Sequence, residues 1–170
     1  LRFLGKNYSK MLASLDTETV IVPDEIHNSL PENVNSENVY ISGDNLDALK
    51  HLLKSYAGEV KCIYIDPPYN TGAKDWKYNN DYVDSSDAYR HSKWLSMMEK
   101  RLKIAKKLLN PNDSVLIVTI DEKEYLHLGC LLEEIFSGKT MQMVSITINP
   151  SGAKRDNLFS RSDEYAYIIL

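Results

Sequence analysis

The sequence predicts an α/β fold, in which parallel strands form a sheet with one antiparallel hairpin edge. Short apolar runs alternate with longer segments whose apolar residues have helical spacing, a pattern typical of parallel strands connected by helices. The last two apolar runs, 141–148 and 164–170, are joined by a segment without helical spacing, which allows an antiparallel pair. The length of 170 residues is that of a single domain.

The N-terminal part of the chain has a different character. Residues 2–15 place apolar side chains on one side of a predicted helix, whereas residues 16–37 are polar and contain two prolines. Such a composition indicates a linker or a wrapped loop. We therefore predict an N-terminal helix and polar linker at 1–37, followed by a main unit at 38–170.

The main unit alternates strands and helices. The predicted elements are, in chain order, a strand at 39–41, a helix capped by Asp44 or Asn45 and ended by Gly58, a strand at 60–65, a loop at 66–89, a helix at 90–109, a strand at 114–120, a helix at 122–136 and strands at 141–148 and 164–170. The strand at 60–65 is apolar on both faces, as expected in a covered parallel sheet. The loop at 66–89 is long and polar, and such loops in compact domains are usually functional or disordered.

Composition limits the possible functions. The net charge is −4, so contacts to nucleic acid would need local clusters of Lys and Arg. Cys62 and Cys130 lie in apolar contexts, which indicates reduced thiols inside a cytosolic protein. No run of 18 apolar residues predicts a membrane span. The four histidines are scattered and no Cys/His cluster has metal-ligand spacing, so we predict no metal site.

The stretch KCIYIDPPYNTG carries the most specific signal. The strand ends on Asp66, Pro67, Pro68 and Tyr69, and the two prolines make this segment rigid. Ligands of open α/β sheets bind beyond the carboxyl ends of parallel strands. Here the Asp66 carboxylate and the Pro67 carbonyl could accept both hydrogens of an aromatic amine and make its nitrogen nucleophilic. The alternative is a rigid turn without chemistry.

A base is a suitable ligand for such a segment. The Tyr69 ring could stack on it, which contributes roughly 1–3 kcal/mol per base. A base within a duplex would first have to be flipped out of the stack.

DPPY after an apolar strand resembles the catalytic motif of amino-group DNA methyltransferases, which use S-adenosylmethionine. The wider string GDNLDALKHLLKSYAGEVKCIYIDPPYNTG is similar to the methylation subunit of type III restriction-modification systems, as are WKYNNDYVD, HSKWLSMMEKRL, LLNPNDSVLIVTID and SRSDEYAYIIL. The resemblance covers residues 37–170. It implies a partial Rossmann-like methyltransferase sheet with Asp66, Pro67, Pro68 and Tyr69 as its catalytic residues.

The resemblance also implies substrates and partners. Asp at the first motif position, rather than Ser, favours N6 of adenine in double-stranded DNA as the methyl acceptor. A second copy of the chain and a restriction subunit with nuclease and helicase activity are the implied partners. Methylation of cytosine N4 or of RNA, and a non-catalytic fragment that binds DNA or a partner, remain as alternatives.

The glycine-rich loop that cradles the cofactor in these enzymes is missing from the sequence. No two of the seven glycines lie within four residues of each other. The resemblance is to a permuted subgroup in which the catalytic motif precedes that loop. The chain begins without Met and ends inside the apolar run YAYIIL, so we expect a piece of a longer protein that is inactive alone.

Further residues are candidates for cofactor contacts. Asp44 is a helix cap and, by resemblance, lies near the adenine end of the cofactor. Asn70, Thr71 and Gly72 extend the motif and could shape the cofactor pocket. Asp121 also ends a buried strand, where a cap for the next helix is the simpler interpretation.

Basic and aromatic residues in two loops are candidates for DNA contacts. They are Lys74, Lys77, Lys154, Arg155, Phe159 and Arg161. Lys74 and Lys77 alternate with aromatic residues, which suits contacts to the DNA backbone and bases. Phe159 could form a second wall of the base pocket. A solvated surface loop and a solvated hairpin are the competing interpretations.

Overall fold

A computed structural model of the chain describes residues 1–70, 87–155 and 158–170. The helices are α1 (Lys6–Ser14), α2 (Glu25–Asn28), α3 (Asn45–Tyr56), α4 (Arg90–Leu108) and α5 (Tyr125–Ile135). The strands are β1 (Cys62–Ile65), β2 (Val115–Ile120), β3 (Met141–Thr147), β4 (Ala153–Arg155), β5 (Leu158–Arg161) and β6 (Asp163–Ile169).

The main sheet has the strand order β1-β2-β6-β3. Strands β1 and β2 are parallel, whereas β6 pairs antiparallel with both β2 and β3. This confirms the predicted α/β class, with parallel strands and an antiparallel edge. Strands β4 and β5 form a separate small hairpin in the connection between β3 and β6, where the sequence predicted no helix.

The core lies between one face of the sheet and the helices α4 and α5. Trp94 and Leu102 of α4, Leu128 of α5 and Leu116 of β2 are fully buried in this core. Complete burial of an apolar side chain of this size contributes about 1.5–3 kcal/mol. The helical spacing of the apolar residues therefore predicted the packing faces of both helices correctly.

The opposite face of the sheet exposes apolar side chains. Tyr64 of β1 and Val144 and Ile146 of β3 are exposed, so the prediction that both faces of the strand at 60–65 are covered was wrong. Cys62 is also exposed because it shares this face with Tyr64. Cys130 is exposed on α5, so both thiols are accessible to solvent despite their apolar sequence neighbours.

The N-terminal segment also differs from the prediction. Residues 39–41 form no strand, and Val39 and Tyr40 are 76% and 92% exposed. A strand needs a partner for its backbone groups, and within the described residues this segment has none. Helix α2 lies inside the predicted linker, where the Asp24 carboxylate accepts a hydrogen bond from the His27 amide. No described helix has the length and apolar character needed to cross a bilayer.

Candidate active site

The motif begins at the carboxyl end of β1 with an exposed carboxylate. Asp66 directly follows Ile65, which pairs with Val118 of β2. The next residue of β2, Thr119, donates a hydrogen bond from Oγ1 to Asp66 Oδ1 at 2.8 Å. Thr119 thereby orients the carboxylate, while the exposure of Asp66 leaves it accessible to a ligand.

The two prolines are fixed against helix α4. Pro67 is buried, and the Pro68 carbonyl accepts a hydrogen bond from Nε1 of Trp94 at 2.7 Å. Trp94 is itself fully buried in the core. Because proline fixes φ and Trp94 fixes the following carbonyl, the position of the Pro67–Pro68 backbone is determined by the core packing of α4.

Tyr69 is partly buried and packs against the core. Its hydroxyl group donates a hydrogen bond to Glu164 Oε2 of β6 at 3.4 Å. Burial raises the pKa of Tyr69 to about 12, and the nearby Asp66 and Glu164 carboxylates act in the same direction. Tyr69 is therefore a neutral phenol at physiological pH, with part of its surface left for contact with a ligand.

Asn70 ends the described part of the motif in a left-handed conformation, with φ of 57°. Asn is one of the few residues that adopt this conformation readily. Its side chain is buried, and Nδ2 donates a hydrogen bond to Glu124 Oε1. The successive polar groups of the motif thus contact residues of β2, α4 and β6 and the residue before α5.

Glu124 belongs to a network that the sequence did not predict. Its side chain is fully buried, and its Oε1 lies 2.7 Å from Nδ1 of His91. Burial raises the pKa of Glu124 to about 7, although the hydrogen bond from Asn70 opposes this shift. Burial and the neighbouring Arg90 lower the pKa of His91, which is therefore neutral at pH 7.

The histidines are less scattered in space than in sequence. The rings of His91 and His127 lie 4.6 Å apart, and both are near Glu124. A signal for this cluster was present in the sequence: Glu124 falls on the same helical stripe as Leu128 and Leu132. An acid on an apolar stripe indicates a buried polar contact.

Asp121 ends β2 as Asp66 ends β1, but it is buried. Its Oδ1 accepts a hydrogen bond from the Lys123 amide at 2.8 Å, and its Oδ2 from Arg161 Nη1 at 3.2 Å. Burial raises the pKa of Asp121, whereas the Lys123 amide and Arg161 lower it. The same guanidinium contacts Glu164 Oε1 at 2.9 Å, so Arg161, a predicted DNA contact, is engaged by two carboxylates.

Asp44 is the N-cap of α3, as predicted. Its Oδ1 accepts a hydrogen bond from the Leu46 amide at 2.8 Å, and Nη2 of Arg101 lies 3.8 Å from the same oxygen. The side chain is exposed. The cap is thus confirmed, while the role of Asp44 toward a cofactor stays a prediction.

The remaining predicted residues are less informative. Thr71, Gly72, Lys74 and Lys77 lie outside the described residues. Lys154 and Arg155 lie on β4, and Phe159 lies on β5 with 94% of its surface exposed. Phe159 is on the hairpin between β3 and β6, and its role as a pocket wall stays a prediction.

Fold and site together define an α/β protein with a rigid, acid-bearing segment at the carboxyl edge of its parallel strands. Residues 60–169 match the family model N6_N4_Mtase, described as DNA methylase. The match includes more than half of the chain, and the chain belongs to this DNA methylase family.

Three curated relatives are type III restriction-modification enzyme Mod subunits. The EcoPI subunit of Escherichia phage P1 is 37% identical over 99% of this chain and 30% of its own length. The EcoP15I subunit of Escherichia coli is 38% identical over 100% of this chain and 29% of its own length. The StyLTI subunit of Salmonella typhimurium is 41% identical over 79% of this chain and 24% of its own length. The chain therefore spans less than a third of these relatives.

A solved structure, described as the M1.HpyAVI-SAM complex, is also similar. It is 18% identical, covers 76% of this chain and 52% of its own, and aligns with a TM-score of 0.48.

Proposed function

We propose that the protein containing this chain is a DNA adenine N6-methyltransferase of a restriction-modification system, with S-adenosylmethionine as methyl donor. The observation that carries the proposal is the exposed Asp66 carboxylate, which Thr119 orients at the carboxyl edge of two parallel strands. The similarity to Mod subunits supports the same conclusion.

The proposed chemistry follows from the electronic structure of the acceptor. The exocyclic nitrogen of adenine is a poor nucleophile because its lone pair is delocalised into the ring. Two hydrogen-bond acceptors, the Asp66 carboxylate and the Pro67 carbonyl, would hold its two hydrogens and favour a tetrahedral nitrogen. Both acceptors are fixed before the ligand arrives, so little reorganisation is needed at the reacting atom. Tyr69 would hold the flipped base by stacking.

S-adenosylmethionine supplies an electrophilic methyl group when bound. Of the described residues, Asp44 fits such a ligand because its carboxylate is exposed and could accept hydrogen bonds from hydroxyl or amino groups. Asn70 does not fit a direct contact, because its amide is buried and donates to Glu124. We propose instead that Asn70 fixes the shape of the loop, with Thr71 and Gly72 as further pocket residues.

The proposal includes partners that the whole protein would need. Duplex DNA is the proposed substrate, and a second copy and a restriction subunit are proposed from the resemblance to type III systems. Since the chain spans less than a third of its Mod relatives, we expect it to require the rest of the protein for activity.

The test is methylation of DNA by the complete protein with Asp66→Ala, which removes both acceptor oxygens of the side chain. Labelled S-adenosylmethionine measures transfer, and mass analysis of the nucleosides identifies the product. Asp113→Ala is a matched control, since Asp113 is an exposed acid at the opposite end of the sheet. We expect N6-methyldeoxyadenosine from the unmodified protein and the control, and almost none from Asp66→Ala. Unchanged transfer by Asp66→Ala would overturn the proposed site, and N4-methyldeoxycytidine as the product would overturn adenine as the proposed base.

A further inference from the structure

The Glu124 carboxylate is buried without a role in capping its own helix. It occupies the position directly before α5, yet its side chain makes no cap hydrogen bond there. Burial of a carboxylate is costly unless hydrogen bonds compensate for the lost water. Its two described donors come from other parts of the chain, Asn70 at the end of the motif and His91 of α4.

The contact to Asn70 fixes the backbone at the end of the motif. Asn70 has φ of 57°, a conformation that glycine adopts more freely than any other residue. A requirement for this backbone conformation alone would be met by glycine. The asparagine amide adds a hydrogen bond to a buried acceptor, and this hydrogen bond links the backbone that follows Tyr69 to the start of α5.

The orientation of the His91 ring follows from its two neighbours. Nε of Arg90 donates a hydrogen bond to Nε2 of His91 at 3.2 Å, so Nε2 is the unprotonated nitrogen. Nδ1 then carries the hydrogen and donates it to Glu124 Oε1 at 2.7 Å. Both ring nitrogens are engaged, and His91 and Asn70 donate to the same oxygen of Glu124, Oε1, whereas Oε2 has no hydrogen-bond partner among the described residues.

A metal ion is an alternative occupant of this cluster. Possible ligand atoms of His91, Glu124 and His127 lie within 4.8 Å of one another. However, both nitrogens of His91 already have partners, and Arg90 adds a positive charge. The amino-terminal ends of α4 and α5 meet here, and their dipoles favour an anion over a cation. The electrostatics fit a hydrogen-bonded carboxylate better than a metal centre.

We propose that Glu124 is a positioning residue, which holds the DPPYN segment in its active geometry through Asn70 and is itself held by His91. The proposal rests on the proposed methyltransferase function and assigns no contact between Glu124 and the substrate. A displacement of the reacting groups by about 1 Å can reduce a rate about a hundredfold. Loss of the link should therefore lower kcat rather than binding.

The first experiment measures steady-state kinetics of the complete protein with Glu124→Ala, Glu124→Gln and Asn70→Gly. We expect Glu124→Ala and Asn70→Gly each to lower kcat by about ten- to a hundredfold, with nearly unchanged KM for DNA and cofactor. The double variant should be no worse than either single one, because both remove the same link. Glu124→Gln keeps an acceptor oxygen and should retain most activity. Glu133→Ala, an exposed glutamate of α5, is the matched control.

The second experiment tests the hydrogen bond between Asn70 and Glu124 without measuring methyl transfer. Hydrogen exchange of the peptide 60–70 should be faster in Glu124→Ala and Asn70→Gly than in the unmodified protein and in Glu124→Gln. A wild-type protein that exchanges as expected but methylates no DNA would refute the proposed function and leave the link intact. If exchange and kcat are both unchanged in Glu124→Ala and in Asn70→Gly, the link between Asn70 and Glu124 is refuted.

Two further results would overturn the proposal. Full activity of Asn70→Gly beside an inactive Glu124→Ala would show that Glu124 acts independently of Asn70. Stoichiometric binding of Zn²⁺ that His91→Ala abolishes would replace the link by a metal site. If Glu124→Ala fails to fold, Asn70→Gly alone still tests the link, because glycine keeps the required backbone conformation.

Discussion

Asp66 and Asp121 end two neighbouring parallel strands, yet the fold places them in opposite environments. Asp66 is exposed and accepts a hydrogen bond from Thr119, whereas Asp121 is 1% exposed and contacts Arg161 and the Lys123 amide. The same sequence signal, an acid after an apolar strand, therefore predicts a position in the sheet but not a role.

The residues that follow each acid explain the difference. Two prolines follow Asp66, and a residue before a proline avoids the helical conformation, so no helix begins directly after Asp66. The chain after Asp121 turns at once into α5, with a hydrogen bond from the Tyr125 amide to the Asp121 carbonyl at 3.2 Å. Asp121 is thereby enclosed between strand and helix, where Arg161 can neutralise it. We infer a chemical role for Asp66 and a structural one for Asp121.

The largest expected effect is the loss of activity in Asp66→Ala. Removal of a group that acts on the reacting atom typically costs about 10²–10⁴ in rate. Because Asp66 is exposed, the free energy of unfolding should change by less than about 1 kcal/mol. Methylation and denaturant unfolding of the complete protein measure both quantities. A large loss of stability in Asp66→Ala would show that Asp66 has a structural role like that of Asp121, and would contradict the difference inferred between the two acids.

Asp121→Ala should show the reverse profile. Removal of one partner of a buried ion pair leaves the other uncompensated, and we expect a loss of about 3 kcal/mol in the free energy of unfolding. Arg161 is only partly buried, which places the effect at the lower end of the usual range. Urea unfolding measures it, with the exposed Asp113→Ala as control. Equal stability of the two variants would contradict the structural role of Asp121.

A third acid, Glu124, extends the comparison of buried and exposed acids to the pH dependence of stability. Its pKa is raised from 4.5 to about 7, so the folded state retains a proton that the unfolded state has lost. Stability should therefore fall by roughly 2 kcal/mol as pH rises from 5 to 7. His91, whose pKa is lowered, acts in the opposite direction up to its ordinary value near 6.5.

The measurement for this prediction is a difference between two proteins. Glu124→Gln cannot titrate at this position, while its His91 remains. Urea unfolding between pH 5 and 7 should show a more negative dependence on pH for the unmodified protein than for Glu124→Gln. Parallel curves would show that Glu124 is ionised throughout this range.

The smallest expected effect concerns Asp44. Loss of an N-cap costs about 1 kcal/mol, so Asp44→Ala should destabilise the protein by this amount, whereas Asp44→Asn keeps the cap and its stability. If Asp44 also binds the cofactor through its charge, calorimetry with S-adenosylmethionine should show weaker binding for both variants. Unchanged binding by Asp44→Asn would make Asp44 a cap only.

The parts of the molecule that the sequence predicted are those with local signals. Helical spacing predicted the buried face of α4, including Trp94, and the cap at Asp44 was predicted from the residue type before the helix. The DPPY segment was predicted to follow a strand, and it follows β1. These features depend on neighbours within a few residues, so the order of residues is sufficient.

The parts that were not predicted depend on contacts between distant residues. Asn70 and Glu124 are 54 positions apart, and no local pattern specifies that they meet. The exposure of Cys62 depends on which face of the sheet carries helices. The sequence of a short apolar strand does not show whether one face or both faces are covered. The strand predicted at 39–41 failed because β propensity is expressed only where a neighbouring strand is available.

The hydrogen bond from Trp94 to the Pro68 carbonyl makes the motif optically observable. Indole fluorescence depends on the polarity and hydrogen bonding around the ring, and this ring is fully buried. The sequence contains two tryptophans, so Trp76→Phe would leave Trp94 as the single indole emitter. Its emission would then respond when DNA or cofactor shifts the Pro67–Pro68 backbone. The protein would thus carry its own spectroscopic label, one hydrogen bond away from Pro68 of the motif.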